Sequence, residues 1–220
     1  PMNVSDESAH TWLKSEKYFV REAMEAGISV LGVCLGAQII ADVMGARIFS
    51  NAHKEIGWFS IEAVEGGEST FTFQERLMAF HWHGDTFDLP ETAVLLARSE
   101  GCTNQAFQVG KKVIGLQFHL ETTMETTELM IENCPDNLLN GRYVESVDAM
   151  RKSTAANSKI ANRFLFAMLD YLTSEHHLSS SKSSFLIQIP KISRPTLFIF
   201  YSKCQTLYQR SSRIFAITYR

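Results

Sequence analysis

The sequence predicts an α/β fold, in which helices cover both faces of a β-sheet. Apolar runs of strand length alternate along the 220 residues with segments whose apolar residues recur at helical spacing. One such run, at residues 28–33, leads directly into a helical segment, and two others flank a Gly-Lys turn at residues 110–111. Strands that alternate with helices are typical of sheets buried on both faces, and the length suits one domain.

The separate elements follow from their apolar spacing and their glycines. Residues 9–26 place apolar side chains along one helical stripe, and Gly27 can cap that helix. Residues 28–33 form a strand, and the helix after it ends near Gly45. Residues 105–121 predict a β-hairpin whose second strand ends at His119. The other predicted strands are 46–50, 55–65, 93–100 and one that starts at 78 and runs into a loop ending at Pro90; the other helices are 123–133, 143–152 and 157–174.

Composition and charge favour an unsecreted protein without a nucleic-acid or membrane partner. The net charge of -3 is too small to favour nucleic acid or an anionic membrane surface. No apolar run is long enough for a membrane span, and the first residues lack the pattern of a signal peptide. The four cysteines have irregular spacing and no C-x-x-C pair, which indicates neither a zinc site nor a disulfide framework. We therefore expect a cytoplasmic location.

Residues 176–220 differ in composition from the rest of the chain. They contain seven Lys and Arg residues and no Asp or Glu, whereas residues 1–175 carry all 24 acidic residues. We therefore divide the chain into a domain at 1–175 and a basic, Ser-rich tail at 176–220. We expect this tail to be poorly ordered or foreign to the domain. The alternative is a genuine extension that adds strands or binds an acidic partner.

A candidate nucleophile lies in "GVCLGAQ", where Cys34 stands between Gly32 and Gly36 at the junction of a strand and a helix. A turn that tight crowds the backbone on both sides of the central side chain, as in the G-x-S-x-G elbow. The sulfur then lies at a helix N-terminus, where free N–H groups and the helix dipole favour a thiolate. The alternative is a structural cysteine that packs as a small apolar group.

A second candidate is the H-x-E pair in "GLQFHLE", formed by His119 and Glu121. In an extended chain, side chains two residues apart point to the same face, so the carboxylate can reach the imidazole. Such a carboxylate would fix the tautomer of a histidine that takes a proton from Cys34. A surface salt bridge is the alternative for this pair alone, but its combination with the cysteine elbow favours a catalytic role.

Together these motifs resemble those of the class I glutamine amidotransferases. "GVCLGAQ" and "GLQFHLE" are similar to the family's nucleophile and histidine motifs, and "KEIGW", "HWHGDTFDLP" and "NQAF" resemble its stand-alone GMP-synthase-like branch. The resemblance covers residues 1–175 and implies a three-layer, flavodoxin-like sandwich with a mostly parallel central sheet. It implies that Cys34 attacks the side-chain amide of glutamine and forms a γ-glutamyl thioester, with release of ammonia and without a cofactor. His119 would be the general base and later acid, and Glu121 would orient it.

The resemblance also implies contacts to the substrate. Leu35 would offer its backbone N–H to the oxyanion, and Gln38 would line the glutamine pocket. The segment "HWHGD" resembles the family's S-H-G-D loop, with Trp82 in place of the serine. The pocket residues implied by this segment are His83, Gly84 and Asp85.

The same segment permits a metal-binding interpretation. His81 and His83 form an H-x-H pair on one face of a strand, a spacing that suits metal ligands. The sequence offers no clear third ligand, so we expect no metal site. Glu55 and Gly57 in "KEIGW" could form a structural hairpin or a pocket edge, and we favour the structural role.

The first residues indicate what an amidotransferase domain of this type would need upstream. In the family, a segment like "PMNVSDE" follows a glycine pair, one member of which donates a second hydrogen bond to the oxyanion. We therefore expect a domain that lacks its first strands and belongs to a longer parent. Loss of one oxyanion donor typically lowers the rate by about 10²- to 10³-fold.

The sequence alone is compatible with three functions. The first is a glutamine-hydrolysing enzyme, with a possible partner synthetase that accepts the ammonia. The second is a hydrolase of γ-glutamyl peptides or conjugates with the same Cys-His-Glu triad, since no synthetase domain or phosphate-binding loop is recognisable. The third is an inactive remnant, because the upstream glycine pair is absent.

Overall fold

A computed structural model of the chain describes residues 4–67 and 69–174, together with the backbone of Leu197–Tyr201 and Ile214–Thr218. The helices are α1 Trp12–Glu25, α2 Leu35–Val43, α3 Met124–Asn133 and α4 Val147–Thr173. The strands are β1 Ser29–Val33, β2 Ile48–Ala63, β3 Arg76–Phe87, β4 Ala93–Ser99, β5 Ala106–Val109, β6 Val113–Leu116, β7 Tyr143–Val144, β8 Leu197–Tyr201 and β9 Ile214–Thr218. In the described part of the chain, no helix combines the length and the apolar character that a bilayer crossing requires.

The strands form one mixed sheet in the order β3-β2-β4-β5-β6-β1-β8-β9, with β7 beside β2. β1 is parallel to β6 on one side and to β8 on the other. From β2 to β6 the main pairings are antiparallel, so the parallel part of the sheet is smaller than the sequence predicts. Short connections such as the β5–β6 turn permit only antiparallel pairing, whereas parallel neighbours need a longer crossover.

Helices cover both faces of the sheet, which confirms the predicted α/β class. On one face, α1 and α2 pack over apolar side chains that include Val30, Ile40 and Phe107. On the other face, α4 packs over a second apolar cluster that includes Leu31 and Leu165. All five residues of β1 are buried, because neighbouring side chains of this strand point into the two different clusters. The strand that precedes Cys34 is therefore fixed from both sides.

Two element boundaries differ from the sequence-based prediction. The helices predicted at 143–152 and 157–174 form the single helix α4, because the residues between them include no glycine or proline. Thr154, in that junction, donates its hydroxyl to the carbonyl of Met150 one turn earlier at 2.8 Å. The strands predicted at 46–50 and 55–65 likewise form the single strand β2, whose register against β3 shifts between Ser50 and Glu55. The break in the sequence pattern is thus an irregularity within one strand.

Part of the C-terminal tail contributes strands to the sheet. The backbone of β8 pairs with β1, and β9 pairs with β8, both in parallel. The remainder of residues 176–220 lies outside the described residues, so the expectation that the tail is poorly ordered stays a prediction.

Candidate active site

Cys34 lies at the turn between β1 and α2, where it is the N-cap residue of the helix. Its φ of 53° and ψ of -106° make it the one non-glycine residue with positive φ in the described part of the chain. Its backbone N–H donates to the carbonyl of Leu116 at 2.7 Å, which ties the turn to the end of β6. A non-glycine residue held in this region is strained, and such strain concentrates at functional sites.

The crowding expected around the turn is visible at Gly32. A Cβ at this position would lie 2.5 Å from the backbone C and O atoms of Gly36 and 2.6 Å from Cδ1 of Ile40. The φ of Gly32 is not positive, so its backbone conformation does not require glycine. The first turn of α2 can therefore approach β1 closely because position 32 has no side chain.

His119 and Glu121 form the predicted pair. His119 Nδ1 and Glu121 Oε1 lie 2.6 Å apart, and because a carboxylate only accepts, Nδ1 carries the proton. Burial lowers the pKa of His119, but the Glu121 carboxylate and the neighbouring Cys34 outweigh it and raise the pKa well above its ordinary value of 6.5. With Nδ1 protonated, Nε2 is the nitrogen left to exchange a proton with another group.

Cys34 and His119 are neighbours without a formed hydrogen bond. The sulfur of Cys34 is close enough to raise the pKa of His119, yet Nε2 of His119 has no hydrogen-bond partner with correct geometry within the described residues. Catalytic hydrogen bonds are often loose in a protein without substrate and tighten in the complex. Both side chains are nearly buried, with 9% of Cys34 and 6% of His119 exposed.

The strand before His119 is shorter than predicted. β6 ends at Leu116, and residues 117–121 follow an irregular path that returns to the sheet through a single antiparallel bridge between His119 and Phe80. The side chains of His119 and Glu121, two residues apart, nevertheless make the contact that was predicted for an extended strand.

Gln117 is a residue that the sequence-based reasoning missed. Its Nε2 donates to the sulfur of Cys34 at 3.7 Å, and its Oε1 accepts a hydrogen bond from Nε2 of Gln38 at 3.1 Å. The signal was available, because Gln117, His119 and Glu121 are spaced two residues apart and alternate side chains share a face. Gln38, predicted to line the pocket, is buried and orients the amide of Gln117.

The "HWHGD" segment is part of strand β3 and not a loop, because it pairs with β2 along its length. His83 points toward Glu55, with Nε2 3.1 Å from Oε2. Gly84 lies against Lys54, and Asp85 accepts a hydrogen bond from the hydroxyl of Ser50 at 3.1 Å. These contacts connect the three predicted pocket residues to β2.

A second group of chemically active side chains lies between β2 and β3. One ligand atom each from Glu55, His81 and His83 lies within 4.8 Å of the other two, and all three residues are buried. Glu55 thus offers the third ligand atom that the sequence did not reveal, because it is far from the H-x-H pair along the chain. The structural role that we favoured for Glu55 is consistent with its burial.

Comparisons with known proteins identify relatives of this chain. Residues 1–136 match the family model described as glutamine amidotransferase class-I. The glutamine amidotransferase-like protein YfeJ of Salmonella typhimurium is 34% identical over 182 residues, which are 80% of this chain and 75% of that protein. The glutamine-hydrolyzing GMP synthase of Aliivibrio salmonicida is 32% identical over 114 residues, which are 50% of this chain and only 22% of that enzyme.

Solved structures agree with these sequence matches. A glutamine amidotransferase from Thermotoga maritima superimposes with a TM-score of 0.71 at 34% identity, over 79% of this chain and 75% of that one. A glutamine amido transferase from Methylobacillus flagellatus superimposes with a TM-score of 0.70 at 26% identity, over 82% of this chain and 78% of that one. The similarity extends over most of the described chain.

Proposed function

The chain belongs to the class I glutamine amidotransferase family, and from that premise we propose that it hydrolyses the side-chain amide of glutamine through a thioester on Cys34. The observation that carries the proposal is the arrangement of Cys34 at a strained helix N-cap beside a histidine that is already bonded to Glu121. Nucleophile, base and orienting carboxylate are the three parts that such covalent catalysis needs.

In the first half of the reaction, the Cys34 sulfur attacks the amide carbon of glutamine. The C–S bond forms as the carbonyl oxygen becomes an oxyanion, while the one proton shared by Cys34 and His119 is held on Nε2 of His119, whose pKa is raised. When the tetrahedral intermediate collapses, the C–N bond breaks and His119 returns the proton to the leaving nitrogen, so that ammonia departs. The hydrogen bond from His119 Nδ1 to Glu121 stabilises the imidazolium formed between these steps.

In the second half, water attacks the γ-glutamyl thioester. His119 Nε2 takes a proton from the water, the C–O bond forms, and the C–S bond breaks to give glutamate and the Cys34 sulfur. Gln117, whose amide already donates to that sulfur, stabilises the negative charge that returns to it.

Leu35 is the residue that we assign to the oxyanion. The N–H groups in the first turn of a helix have no carbonyl before them to bond, and Leu35 opens α2 directly after the nucleophile. The N–H of Cys34 itself is already used by Leu116. We therefore expect the Leu35 N–H to donate to the oxygen on which the negative charge develops.

Alkylation with a glutamine-analogue diazoketone tests the proposal directly. We expect one adduct per chain on the peptide that contains Cys34, with glutamine protecting against it, and no adduct in Cys34→Ser. The other described cysteines, Cys102 and Cys134, are free thiols and serve as internal controls. Equal labelling of all three cysteines, or no protection by glutamine, would refute the assignment.

The same thioester chemistry applies to γ-glutamyl peptides, which share the acyl group and differ only in the leaving amine. Measured side by side, kcat/KM for glutamine is expected to exceed that for a γ-glutamyl dipeptide. The reverse ranking would identify a γ-glutamyl hydrolase in place of a glutaminase, and would remove the need for a synthetase that accepts ammonia.

A further inference from the structure

A buried polar cluster lies on β2 and β3 and includes none of Cys34, His119 and Glu121. It consists of Glu55, His81 and His83, with Ser99 and Gln105 as hydrogen-bonding neighbours. Glu55 and His81 have no exposed surface, and only 5% of His83 is exposed. Groups of this polarity are stable in a protein interior only when each donor and acceptor is satisfied.

The hydrogen bonds of His83 leave a lone pair directed at a carboxylate. Its Nδ1 lies 3.0 Å from the carbonyl of Asp85, and because a carbonyl only accepts, Nδ1 donates. In the neutral ring, Nε2 is then an acceptor, yet it lies 3.1 Å from Oε2 of Glu55, which is an acceptor as well. The contact lacks the geometry of an N–H···O hydrogen bond, and Nε2 has no other partner within the described residues.

His81 adds a third acceptor to the same space. The amide nitrogen Nε2 of Gln105 has three acceptors within hydrogen-bond distance. They are Oε2 of Glu55 at 2.6 Å, Oγ of Ser99 at 2.9 Å and Nδ1 of His81 at 3.3 Å. Because an amide nitrogen only donates, Nδ1 of His81 carries the lone pair in the longest of these contacts, and it lies 3.9 Å from Oε2 of Glu55.

Glu55 places both carboxylate oxygens in this group. Its Oε1 accepts a hydrogen bond from the hydroxyl of Ser99 at 2.7 Å, and its Oε2 accepts one from Nε2 of Gln105 at 2.6 Å. One carboxylate oxygen and two imidazole nitrogens therefore converge in the interior, within 4.8 Å of one another. Buried groups of this kind are stable when they are paired or coordinate a metal.

We propose that Glu55, His81 and His83 bind one Zn²⁺ ion, at a site that shares no ligand with the Cys34–His119–Glu121 group. Two imidazoles and a carboxylate form a donor set that Zn²⁺ takes in proteins, at about 2.0–2.2 Å from each ligand atom. Tetrahedral coordination at that length spaces the ligand atoms about 3.3 Å apart. The 3.1 Å between His83 and Glu55 already fits, and the 3.9 Å between His81 and Glu55 needs only a small side-chain movement.

The surrounding contacts match those of a metal site. A ligating histidine typically donates its other nitrogen to a backbone carbonyl, and His83 does so to Asp85. Ligating carboxylates are in turn hydrogen-bonded, and Oε1 of Glu55 accepts from the hydroxyl of Ser99 at 2.7 Å. With ligands from both strands, the ion would join β2 to β3 and leave one position of a tetrahedral set for a water molecule.

The test measures the zinc content of the full chain with the Cys34→Ser substitution, so that the Cys34 thiol cannot bind zinc. We expect about one zinc per chain by elemental analysis after purification, and loss of that zinc to a chelator. Adding Zn²⁺ back at about 100 times its Kd should raise Tm by about 5–10 °C. Less than about a tenth of an equivalent of zinc, together with no shift in Tm, would overturn the proposal.

Variants and spectroscopy assign the ligands. Glu55→Gln and His81→Gln should bind no zinc and show no metal-dependent rise in Tm, whereas His53→Gln, which changes an exposed histidine of the same strand, should bind it normally. If the ligand variants fail to fold, X-ray absorption of the zinc-loaded parent protein identifies the ligands. We expect a first shell of nitrogen and oxygen atoms at about 2.0–2.2 Å from the zinc. Sulfur in the first shell, at about 2.3 Å, would refute the site.

Discussion

The main chains of Phe80 and His119 exchange two hydrogen bonds, from the N–H of His119 to Phe80 at 2.7 Å and from the N–H of Phe80 to His119 at 3.3 Å. His119 lies beyond the end of β6, so this bridge to β3 is what holds its backbone in place. The ring of Phe80 also packs edge-on against that of His119, with centroids 6.3 Å apart. The position of the histidine thus depends on a strand that is distant in the sequence, while its tautomer depends on Glu121.

Glycine at position 34 should stabilise the fold relative to alanine there. Both Cys34→Gly and Cys34→Ala remove the thiol and are expected to abolish labelling, but only alanine keeps the strain of a φ of 53°. We expect Cys34→Gly to exceed Cys34→Ala by about 1 kcal/mol in free energy of unfolding, measured with urea. Ala37→Gly, within α2, is the control and should destabilise by about 1 kcal/mol. An equal or lower stability of Cys34→Gly would contradict the strain.

Glu121→Gln should lower the pKa of His119 and slow the reaction. The imidazolium loses its carboxylate partner, so kcat is expected to fall by about 10²- to 10⁴-fold. Because the folded-state pKa of His119 lies above 6.5, its stabilising contribution is present below that pH and is lost as pH rises through the folded value. The stability deficit of the variant should therefore be larger at about pH 6 than at a pH above the folded-state pKa of His119, which the NMR titration locates.

An NMR titration of His119 and urea unfolding at the two pH values provide the measurements for this variant. Glu125→Gln, which changes an exposed carboxylate in the first turn of α3, serves as the control and should leave the pKa of His119 in place. If the stability deficit of Glu121→Gln grows as the pH rises, the predicted direction of the pH dependence is wrong.

Gln117→Leu should reduce the reactivity of Cys34. The substitution removes the amide that donates to the sulfur at 3.7 Å, and a hydrogen bond to a charged group is worth about 1.5–3 kcal/mol. We expect the alkylation rate with the diazoketone to fall by about 10- to 100-fold. Gln38→Leu, which removes only the orienting bond to Gln117, should have a smaller effect. A larger effect of Gln38→Leu would mean that Gln38 acts on the substrate itself.

Gly32→Ala should be severely destabilising. A Cβ at position 32 would lie 2.5 Å from the backbone of Gly36. This clash can be relieved only if α2 moves away from β1. We expect a loss of about 3 kcal/mol or more in free energy of unfolding. Gly67→Ala, where a Cβ would meet nothing within 4 Å, is the matched control and should change stability little. Similar midpoints for both variants in urea would contradict the close approach.

The sequence was sufficient where the deciding interactions are local. The Cys34 turn was predictable because glycines two residues away on either side permit a tight strand-to-helix junction, and the His119–Glu121 contact because its partners are two residues apart. The predicted break at 153–156 was wrong. The helix continues there, and the hydroxyl of Thr154 donates to the carbonyl of Met150 within it.

Contacts between distant segments were not predictable from the chain. Glu55 lies 28 positions before His83, and only the antiparallel register of β2 and β3 sets them opposite each other. Gln117 and Cys34 are 83 residues apart and meet because β6 and β1 are neighbours in the sheet. No periodicity in a sequence specifies which strands pair or in which register.

The amino-acid sequence by itself determined the α/β class, the tight strand-to-helix turn at Cys34 and the pairing of His119 with Glu121, because each depends on interactions within a few residues. The tertiary structure alone decided that His119 is bonded to β3, that Gln117 reaches the sulfur of Cys34, and that Glu55 lies beside His81 and His83. Those relationships depend on strand order and register, which are fixed when the apolar faces of the whole sheet are buried together.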